Sequence, residues 1–281
     1  MKRLRLGLIG DPVGHSRSPQ MMRAAFAHMG LDASYETVAV LKEELFQDVG
    51  QEPISGWDGF NVTIPHKVGI MGLLDDVDES ARTIGAVNTV VVRDRKRIGY
   101  NTDGVGYLRS LKQETGINVP GQSVVILGAG GAARAVATIL AKEGATRIQI
   151  LNRTYSKAEE LANHLGRWTT AKACSLGDGK EAISQATLLI NTTSIGMHPH
   201  VDQLPIPEEW ISPHLLVSDL IYNPKETPLI QKARQKGCEV HYGLGMLVHQ
   251  AAYALELWTG QKAPVEVMRR VLEESLIVQN T

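Results

Sequence analysis

The fold of this chain is decided by the stretch SVVILGAGGAAR, residues 123–134. Its first half, Val124–Leu127, is a continuous apolar run, which is typical of a parallel strand buried on both faces. Small residues follow, and a helical pattern runs from Gly131 to Glu143. The stretch therefore has the strand–turn–helix order and the GxGxxA spacing that are typical of a dinucleotide-binding fingerprint.

Each small residue of this turn has a physical purpose in a nucleotide site. Gly128 permits the tight turn, Gly130 lets a pyrophosphate approach the backbone, and Ala133 keeps helix and strand close. The free N–H groups and the dipole at the helix start favour a bound anion. The alternative is a tight turn with no ligand, but the strand before it and the helix after it favour nucleotide binding.

The next predicted strand, Arg147–Leu151, ends in polar residues that bear on the choice of cofactor. An NAD site expects an acidic side chain about 20 residues past the glycines, where it binds the ribose hydroxyls. This chain has Asn152, Arg153 and Thr154 there instead, with Lys157 further on. Because a guanidinium can pair bidentately with a 2′-phosphate, these residues favour NADP over NAD. The alternative is a solvated basic helix start.

Strands and helices alternate on both sides of this unit, which predicts an α/β fold. Residues 117–121 are interpreted as a linker between two domains. Before the linker the pattern predicts strands at Leu4–Ile9, Tyr35–Val40 and Trp57–Val62, a hairpin of Val87–Val92 with Arg97–Tyr100, and helices at Pro19–Met29, Lys42–Asp48 and Thr102–Glu114. After residue 151 it predicts strands at Leu188–Ile190, Leu215–Asp219 and Glu239–Tyr242, and helices at Met246–Trp258 and Pro264–Ile277.

The composition excludes several classes of function. The chain has 281 residues, enough for two domains, and a formal net charge of −1 carries no bulk signal for nucleic acid or membrane binding. Cys174 and Cys238 lie far apart, so disulfide scaffolds and cysteine-based zinc sites are not expected. The apolar run at the N-terminus is too short for the apolar region of a signal peptide. No apolar run approaches the roughly 20 residues that a helix needs to span a bilayer. We expect a cytoplasmic soluble protein.

A second informative stretch is NVTIPHK, residues 61–67. Pro65 suits the first turn of a helix, so we expect Lys67 near a helix start, where the positive end of the dipole can lower the pKa of its amine. Such an amine is suited to moving protons. The alternative is a solvated surface lysine. Asn61 and Thr63, two polar residues near the predicted strand's exit, favour the functional interpretation.

Two further groups accompany this lysine. Ser16 and Ser18 precede a predicted helix start at Pro19, and their hydroxyls suit a carboxylate, although simple capping by Ser18 is the alternative. Asp103 follows a presumed strand, as Thr63 does. If these strand ends converge, Asp103 can pair with Lys67 and orient its amine, and the direction in which the lysine pKa then moves stays open.

A series of motifs runs along the chain in a fixed order. They are HSxSP at 15–19, NVTIPHK at 61–67, GAVNT at 85–89, NTDxxG at 101–106, GAGGAA at 128–133, NRT at 152–154, NTTSIGM at 191–197, DLIYNPKETPL at 219–229 and GxxMLVHQAA at 243–252. Together they cover nearly the whole length, and the chain closely resembles the NADP-dependent shikimate dehydrogenases of the single-function bacterial type.

The resemblance implies NADPH-dependent, reversible reduction of 3-dehydroshikimate to shikimate in the shikimate pathway, with NADP(H) as cofactor. It implies that Lys67 and Asp103 are the catalytic pair. The substrate-binding residues it implies are Ser16 and Ser18 for the carboxylate, Thr63, Asn88 and Gln250 for the ring hydroxyls, and Asn61 and Tyr222 lining the site. For the cofactor it implies Gly128, Ala129, Gly130, Gly131, Ala132 and Ala133 at the pyrophosphate, Asn152, Arg153 and Thr154 at the adenosine phosphate, and Thr192, Met197, Gly243 and Met246 at the adenine or nicotinamide ends.

The resemblance also implies an arrangement of domains. We expect a substrate-binding domain over residues 1–104, a Rossmann-like NADP-binding domain over 105–242, and C-terminal helices over 243–281 that return to the first domain. The substrate is expected to be a small molecule, and the protein a monomer or homodimer.

A metal site at His198, His200 and His214 is conceivable, but a solvated loop is the simpler interpretation and we expect no metal.

Two alternatives to this function stay open. One is a quinate/shikimate dehydrogenase with relaxed cofactor use, which shares most of the motifs. The other is a non-catalytic sensor that binds NADP or a shikimate-like ligand. Retention of both Lys67 and Asp103 argues against the sensor.

Overall fold

Two six-stranded sheets organise residues 3–277, the part of the chain that the computed structural model describes. The chain divides into two compact units, each with one of the sheets. One unit contains the residues up to Val105 and those from Val248 onward, and the other contains Gly106–Leu247. The predicted α/β class is confirmed. The predicted boundaries, 104/105 and 242/243, lie close to these divisions and stay predictions.

The first unit is built on a mixed sheet. Its strands are β1 Leu4–Gly10, β2 Ala33–Ala39, β3 Gly59–Val62, β4 Asp76–Val77, β5 Thr89–Arg93 and β6 Lys96–Tyr100, and the helices among them are α1 Ser18–Met29, α2 Leu45–Val49 and α3 Glu79–Ile84. The strand order is β2-β1-β3-β5-β6-β4. β3 runs parallel to β1 and antiparallel to β5, and this register places Asn61 opposite Thr89. Two polar residues therefore face each other near the middle of the sheet.

The second unit has a fully parallel sheet. Its strands are β7 Ser123–Leu127, β8 Arg147–Leu151, β9 Thr170–Cys174, β10 Leu188–Asn191, β11 Leu216–Asp219 and β12 Glu239–Tyr242, and its helices are α4 Asp103–Thr115, α5 Gly131–Lys142, α6 Tyr155–Leu165, α7 Gly179–Ser184 and α8 Pro228–Gln235, of which α4 begins in the first unit. The order β9-β8-β7-β10-β11-β12 is that of the Rossmann fold. Apolar clusters cover both faces, which explains the continuous apolar runs of β7 and β10.

Two long helices complete the chain, α9 Gly243–Thr259 and α10 Val265–Ile277. α10 packs on α1 of the first unit, so the predicted return of the C-terminal helices to the first domain is confirmed. Across residues 3–277, no helix combines the length and the apolar character that crossing a membrane requires.

Several elements differ from the sequence prediction. Most predicted strands and helices are present with ends shifted by a few residues, whereas β4, β9, α3, α6, α7 and α8 were not predicted. β9 lies at the sheet edge and has the sequence TAKAC, in which three of the five residues are not buried. An edge strand of small and charged residues lacks the apolar run by which a strand is recognised.

Candidate active site

The Lys67–Asp103 pair is the centre of the candidate site. Lys67 Nζ lies 2.6 Å from Asp103 Oδ2, with side chains 23% and 9% exposed. Lys67 follows β3, and Asp103 is the first residue of α4. An ammonium and a carboxylate at this distance form a charge-assisted hydrogen bond, and limited exposure strengthens it. The predicted pairing is therefore present, while the catalytic role of the pair stays a prediction.

The predicted helix start at Pro65 is wrong. The His66 N–H donates to the Thr63 carbonyl at 2.9 Å, which closes a turn, and a short 3₁₀ helix begins only at Gly69. The carbonyl of Lys67 accepts from the Val87 N–H at 2.8 Å, a partner outside any local helix. Lys67 is thus held by a neighbouring segment, and the proposed effect of a helix dipole on its amine does not apply.

Asn88 connects Asp103 to the strands of the sheet. Its Nδ2 donates to Asp103 Oδ1 and to Thr102 Oγ1, both at 2.9 Å, and its Oδ1 accepts from the Thr102 N–H at 2.8 Å. The Asp103 N–H also donates to Asn101 Oδ1 at 3.1 Å. Because both amide hydrogens of Asn88 are engaged, this side chain is better suited to orienting Asp103 than to donating to a ring hydroxyl.

Asn61 lies buried in β3 and joins the same network. Its Nδ2 donates to Thr89 Oγ1 at 3.0 Å, and the Thr89 hydroxyl donates to Asn88 Oδ1 at 3.1 Å. Its Oδ1 accepts from the Tyr35 hydroxyl at 2.7 Å. Thr63, half-buried, follows two residues after Asn61. The structure thus connects Asn61, Asn88, Asp103 and Lys67 through hydrogen bonds. Tyr35, Thr89 and Thr102 are members of this network that the sequence did not single out.

The two serines lie at the start of α1. The helix begins at Ser18, its N-cap is Arg17, and Pro19 occupies the first turn as predicted. The Ser18 N–H donates to Ser16 Oγ at 3.3 Å, and no side chain caps the helix start, so the alternative of simple capping by Ser18 is not what the structure contains. The Ser18 side chain is buried and Ser16 is half-buried. Gln250 belongs to the same unit, half-buried in α9.

The predicted pyrophosphate loop has the expected backbone. Gly128 has φ +105°, a value that favours glycine, and a Cβ there would lie 2.7 Å from Thr192 Oγ1. At Gly130 and Gly131 a Cβ would meet no heavy atom within 4 Å, so the backbone is open to a ligand. Ala133 is fully buried in α5, as close helix–strand packing requires. Ala129 lies in the same turn, and Ala132 lies in the first turn of α5.

The residues after β8 are solvent-accessible. Asn152 Nδ2 donates to the Thr154 carbonyl at 2.8 Å, which shapes the turn before α6. Arg153, Thr154 and Lys157 are exposed. Two cationic side chains and a hydroxyl beside the end of β8 form a surface that fits a phosphate group.

Four residues were predicted at the ends of the cofactor. Thr192 donates its hydroxyl to the Leu127 carbonyl at 2.6 Å, and Met197 is 41% exposed. A Cβ at Gly243 would lie 2.2 Å from the Leu220 carbonyl oxygen, so close backbone packing already accounts for this glycine. Met246 packs partly buried on the core of the second unit. Tyr222, half-buried, follows β11.

A cavity elsewhere in the described residues is separate from this site. A cavity of about 350 Å³ between β8, β9 and α7 contains none of the predicted site residues. Among residues 3–277, no group of three His, Cys, Asp or Glu side chains has an arrangement that could hold a metal ion.

Comparison with known proteins decides the family. Three family models match: the shikimate dehydrogenase substrate binding domain over residues 8–90, shikimate/quinate 5-dehydrogenase over 110–203, and the shikimate 5′-dehydrogenase C-terminal domain over 243–273. A shikimate dehydrogenase (NADP(+)) of Geobacillus kaustophilus is 43% identical over 270 residues, which cover 96% of this chain and 98% of that protein. The chain belongs to the shikimate dehydrogenase family.

Solved members of the shikimate dehydrogenase family have the same fold. One, in complex with NADP+, matches with a TM-score of 0.91 and 42% identity over 98% of this chain and 96% of that one. Another, from Thermus thermophilus and in complex with NADP(H) and shikimate, matches with a TM-score of 0.86 and 35% identity over 97% and 100% of the two chains. The family identification therefore extends across both units.

Proposed function

We propose that this member of the shikimate dehydrogenase family catalyses the NADPH-dependent, reversible reduction of 3-dehydroshikimate to shikimate, a step of aromatic amino acid biosynthesis. The observation that carries the proposal is the Lys67–Asp103 contact of 2.6 Å, tied through Asn88 to the sheet. A ketone reduction needs a proton at the oxygen that receives charge, and this pair is built to hold one.

The substrate carries groups that the first unit can recognise. The hydroxyls of Ser16 and Ser18, at the start of α1, suit its carboxylate, and the N-terminal dipole of a twelve-residue helix favours the negative charge. Thr63 and Gln250 offer polar side chains for the ring hydroxyls, together with Asn61. Asn88 acts here mainly by orienting Asp103.

Lys67 has the central part in the chemistry. Its amine stabilises the oxygen that becomes negative during reduction and delivers a proton to it. Asp103 orients that amine and shares its proton through the short contact between them.

The second unit fits the cofactor. The open backbone at Gly130 and Gly131 suits a pyrophosphate at the start of α5, and Asn152, Arg153, Thr154 and Lys157 suit the adenosine 2′-phosphate. NADPH, when bound, supplies the hydride. Thr192, Met197 and Met246 border the remaining ends of the cofactor in this proposal, with Gly243 needed for backbone packing.

We propose further that the protein acts in the cytoplasm on a small-molecule substrate, as a monomer or homodimer, without a nucleic-acid partner. Its net charge of −1 supports the last point.

The experiment that tests this function is a spectrophotometric comparison of substrates. NADPH oxidation with 3-dehydroshikimate is measured beside NADH oxidation with the same substrate, and NADP+ or NAD+ reduction is measured with shikimate and with quinate. We expect the highest kcat/KM with NADPH and 3-dehydroshikimate. Preferred turnover of quinate with NAD+ would indicate a quinate dehydrogenase instead, and binding without any turnover would indicate a sensor.

A further inference from the structure

A tyrosine outside the predicted site forms a hydrogen bond with one of its residues. Tyr35, in β2, is 7% exposed. Its hydroxyl donates to Asn61 Oδ1 at 2.7 Å. Asn61 lies in β3, and β1 separates this strand from β2 in the sheet, so the bond joins two strands that are not neighbours.

The direction of each proton in this cluster follows from its partners. Asn61 Nδ2 contacts the Asn88 carbonyl oxygen at 3.2 Å and Thr89 Oγ1 at 3.0 Å. A carbonyl can only accept, so the amide nitrogen must face it and Oδ1 must face Tyr35. The Tyr35 hydroxyl therefore donates to Asn61.

The hydroxyl is held firmly in this role. Burial raises the pKa of Tyr35 well above its ordinary value, so its proton stays in place. The Tyr35 ring packs against Trp258 with centroids 6.4 Å apart at 53°, and Trp258 Nε1 donates to the Val90 carbonyl at 2.9 Å. A ring fixed on one side leaves its hydroxyl little freedom to move.

We propose that Tyr35 is a positioning residue for substrate binding: its hydroxyl orients the Asn61 amide before the substrate arrives. This inference rests on the proposed function, since it assigns the preparation of the same site. Asn61 keeps its Tyr35 contact and offers its remaining Oδ1 lone pair to a ring hydroxyl.

The test is Tyr35→Phe, measured by the Kd for shikimate in the absence of cofactor and by steady-state kinetics. We expect the Kd and the KM for shikimate to rise about fivefold, the effect of one lost hydrogen bond, with kcat changed by less than about twofold and the KM for NADP+ unchanged. If Tyr35 only stabilised the fold, its loss would not raise the KM for shikimate while leaving kcat nearly unchanged.

Tyr107→Phe is the matched control. Tyr107 is also buried, and its hydroxyl donates to Ser218 Oγ at 3.2 Å within the second unit. It loses the same kind of bond, so we expect its Kd for shikimate to equal the wild-type value. If both variants lose thermal stability and Tyr35→Phe leaves the Kd for shikimate unchanged, the positioning role is wrong.

Thr89→Val is the variant that tests the positioning role if Tyr35→Phe does not fold. Thr89→Val removes the acceptor on the opposite side of the same Asn61 amide, and we expect it to raise the Kd for shikimate in the same direction; an unchanged Kd overturns the proposal. Failure of the proposed function has a different signature, because the wild-type protein itself would then neither bind shikimate nor oxidise it with NADP+.

Discussion

Lys67 carries most of the proposed chemistry at the scale of single residues. Replacing it with alanine removes the group that we propose stabilises and protonates the developing alkoxide, and leaves Asp103 without the partner at 2.6 Å. We expect kcat for 3-dehydroshikimate reduction to fall about 10²–10⁴-fold, with a smaller change in KM. Steady-state kinetics with NADPH measures both constants.

The control for this variant is Lys42→Ala. Lys42 is an exposed lysine of the same unit, outside the predicted site, and we expect its kcat and KM to match the wild-type values. A Lys67→Ala protein with unchanged kcat and a strongly raised KM would make Lys67 a binding residue rather than a proton donor.

Some of these residue placements were predicted correctly from the sequence, and others were not. Strand-end logic brought Lys67 and Asp103 together, and the structure contains that contact. The helix start at Pro65 failed because one long-range bond, from the Val87 N–H to the Lys67 carbonyl, competes with local helix formation. The role of Tyr35 left no signal, because a tyrosine in a strand is ordinarily a core residue.

Among the secondary-structure elements, the turn after β8 makes the choice between NADPH and NADH testable. Arg153 follows the carboxyl end of β8 and is exposed, where a 2′-phosphate can reach it. We expect Arg153→Ala to raise the KM for NADPH far more than the KM for NADH, because only NADPH carries that phosphate. Initial rates at varied cofactor concentration give both constants.

Arg147 is the matched control for this substitution. It lies at the opposite, amino end of β8, away from the edge where parallel sheets bind ligands, and it is also exposed. We expect Arg147→Ala to leave both KM values unchanged. Equal effects of Arg153→Ala on NADPH and NADH would contradict the assignment of this turn to the 2′-phosphate.

Packing between β3 and α9 supplies a second prediction at this scale. A Cβ at Gly59 would lie 2.3 Å from Trp258 Nε1 and 2.8 Å from the Val90 carbonyl oxygen. A rigid indole and a strand backbone cannot both move aside, so we expect Gly59→Ala to lower the free energy of unfolding by about 1–3 kcal/mol. Urea unfolding followed by tryptophan fluorescence measures the change.

Gly72→Ala shows what an alanine does where space is available. At Gly72 a Cβ would meet nothing within 4 Å, so we expect almost no loss of stability. If both substitutions have the same effect, the tight approach of Trp258 to β3 does not constrain Gly59.

Elements were predicted from the sequence where periodicity was strong. β7, α5 and α10 combine long apolar patterns with clear ends, and each appears within a residue or two of its prediction. α7 and β4 contain only six and two residues, too few to show a period. α8 begins at Pro228 after a Thr227 cap that accepts from the Ile230 N–H, a start signal that the preceding run of polar residues obscured.

At the scale of the whole molecule, one buried carboxyl couples stability to pH. Burial raises the pKa of Asp219 to about 6 from an ordinary 3.8, although the Thr227 hydroxyl, the Ile221 N–H and Asn191 donate to it. Its contribution to stability is therefore complete below about pH 4 and is lost as the pH rises through about 6. The difference corresponds to about 3 kcal/mol of unfolding free energy.

Asp219→Asn removes this titration. We expect the stability of the variant relative to wild type to increase as the pH rises from about 4 to 8, by up to about 3 kcal/mol. Urea unfolding at a series of pH values measures it. A constant difference between the two proteins would show that Asp219 does not titrate in this range.

Asp178→Asn provides a comparison of opposite sign. The Ser175 hydroxyl and N–H lower the pKa of this exposed carboxyl, so its stabilising effect is present above its ordinary pKa and is lost only as the pH falls further. We expect this variant to change the acid side of the profile and leave the range near pH 6 unaffected.

The proposed function requires this protein to transfer a hydride from NADPH to the ketone of 3-dehydroshikimate. The most direct measurement uses NADPH labelled with deuterium at the transferred position of the nicotinamide, with 3-dehydroshikimate and the wild-type protein, and analyses the product by mass spectrometry. We predict shikimate that carries one deuterium at the new carbinol carbon. Unlabelled shikimate, or no shikimate at all, would contradict the claim.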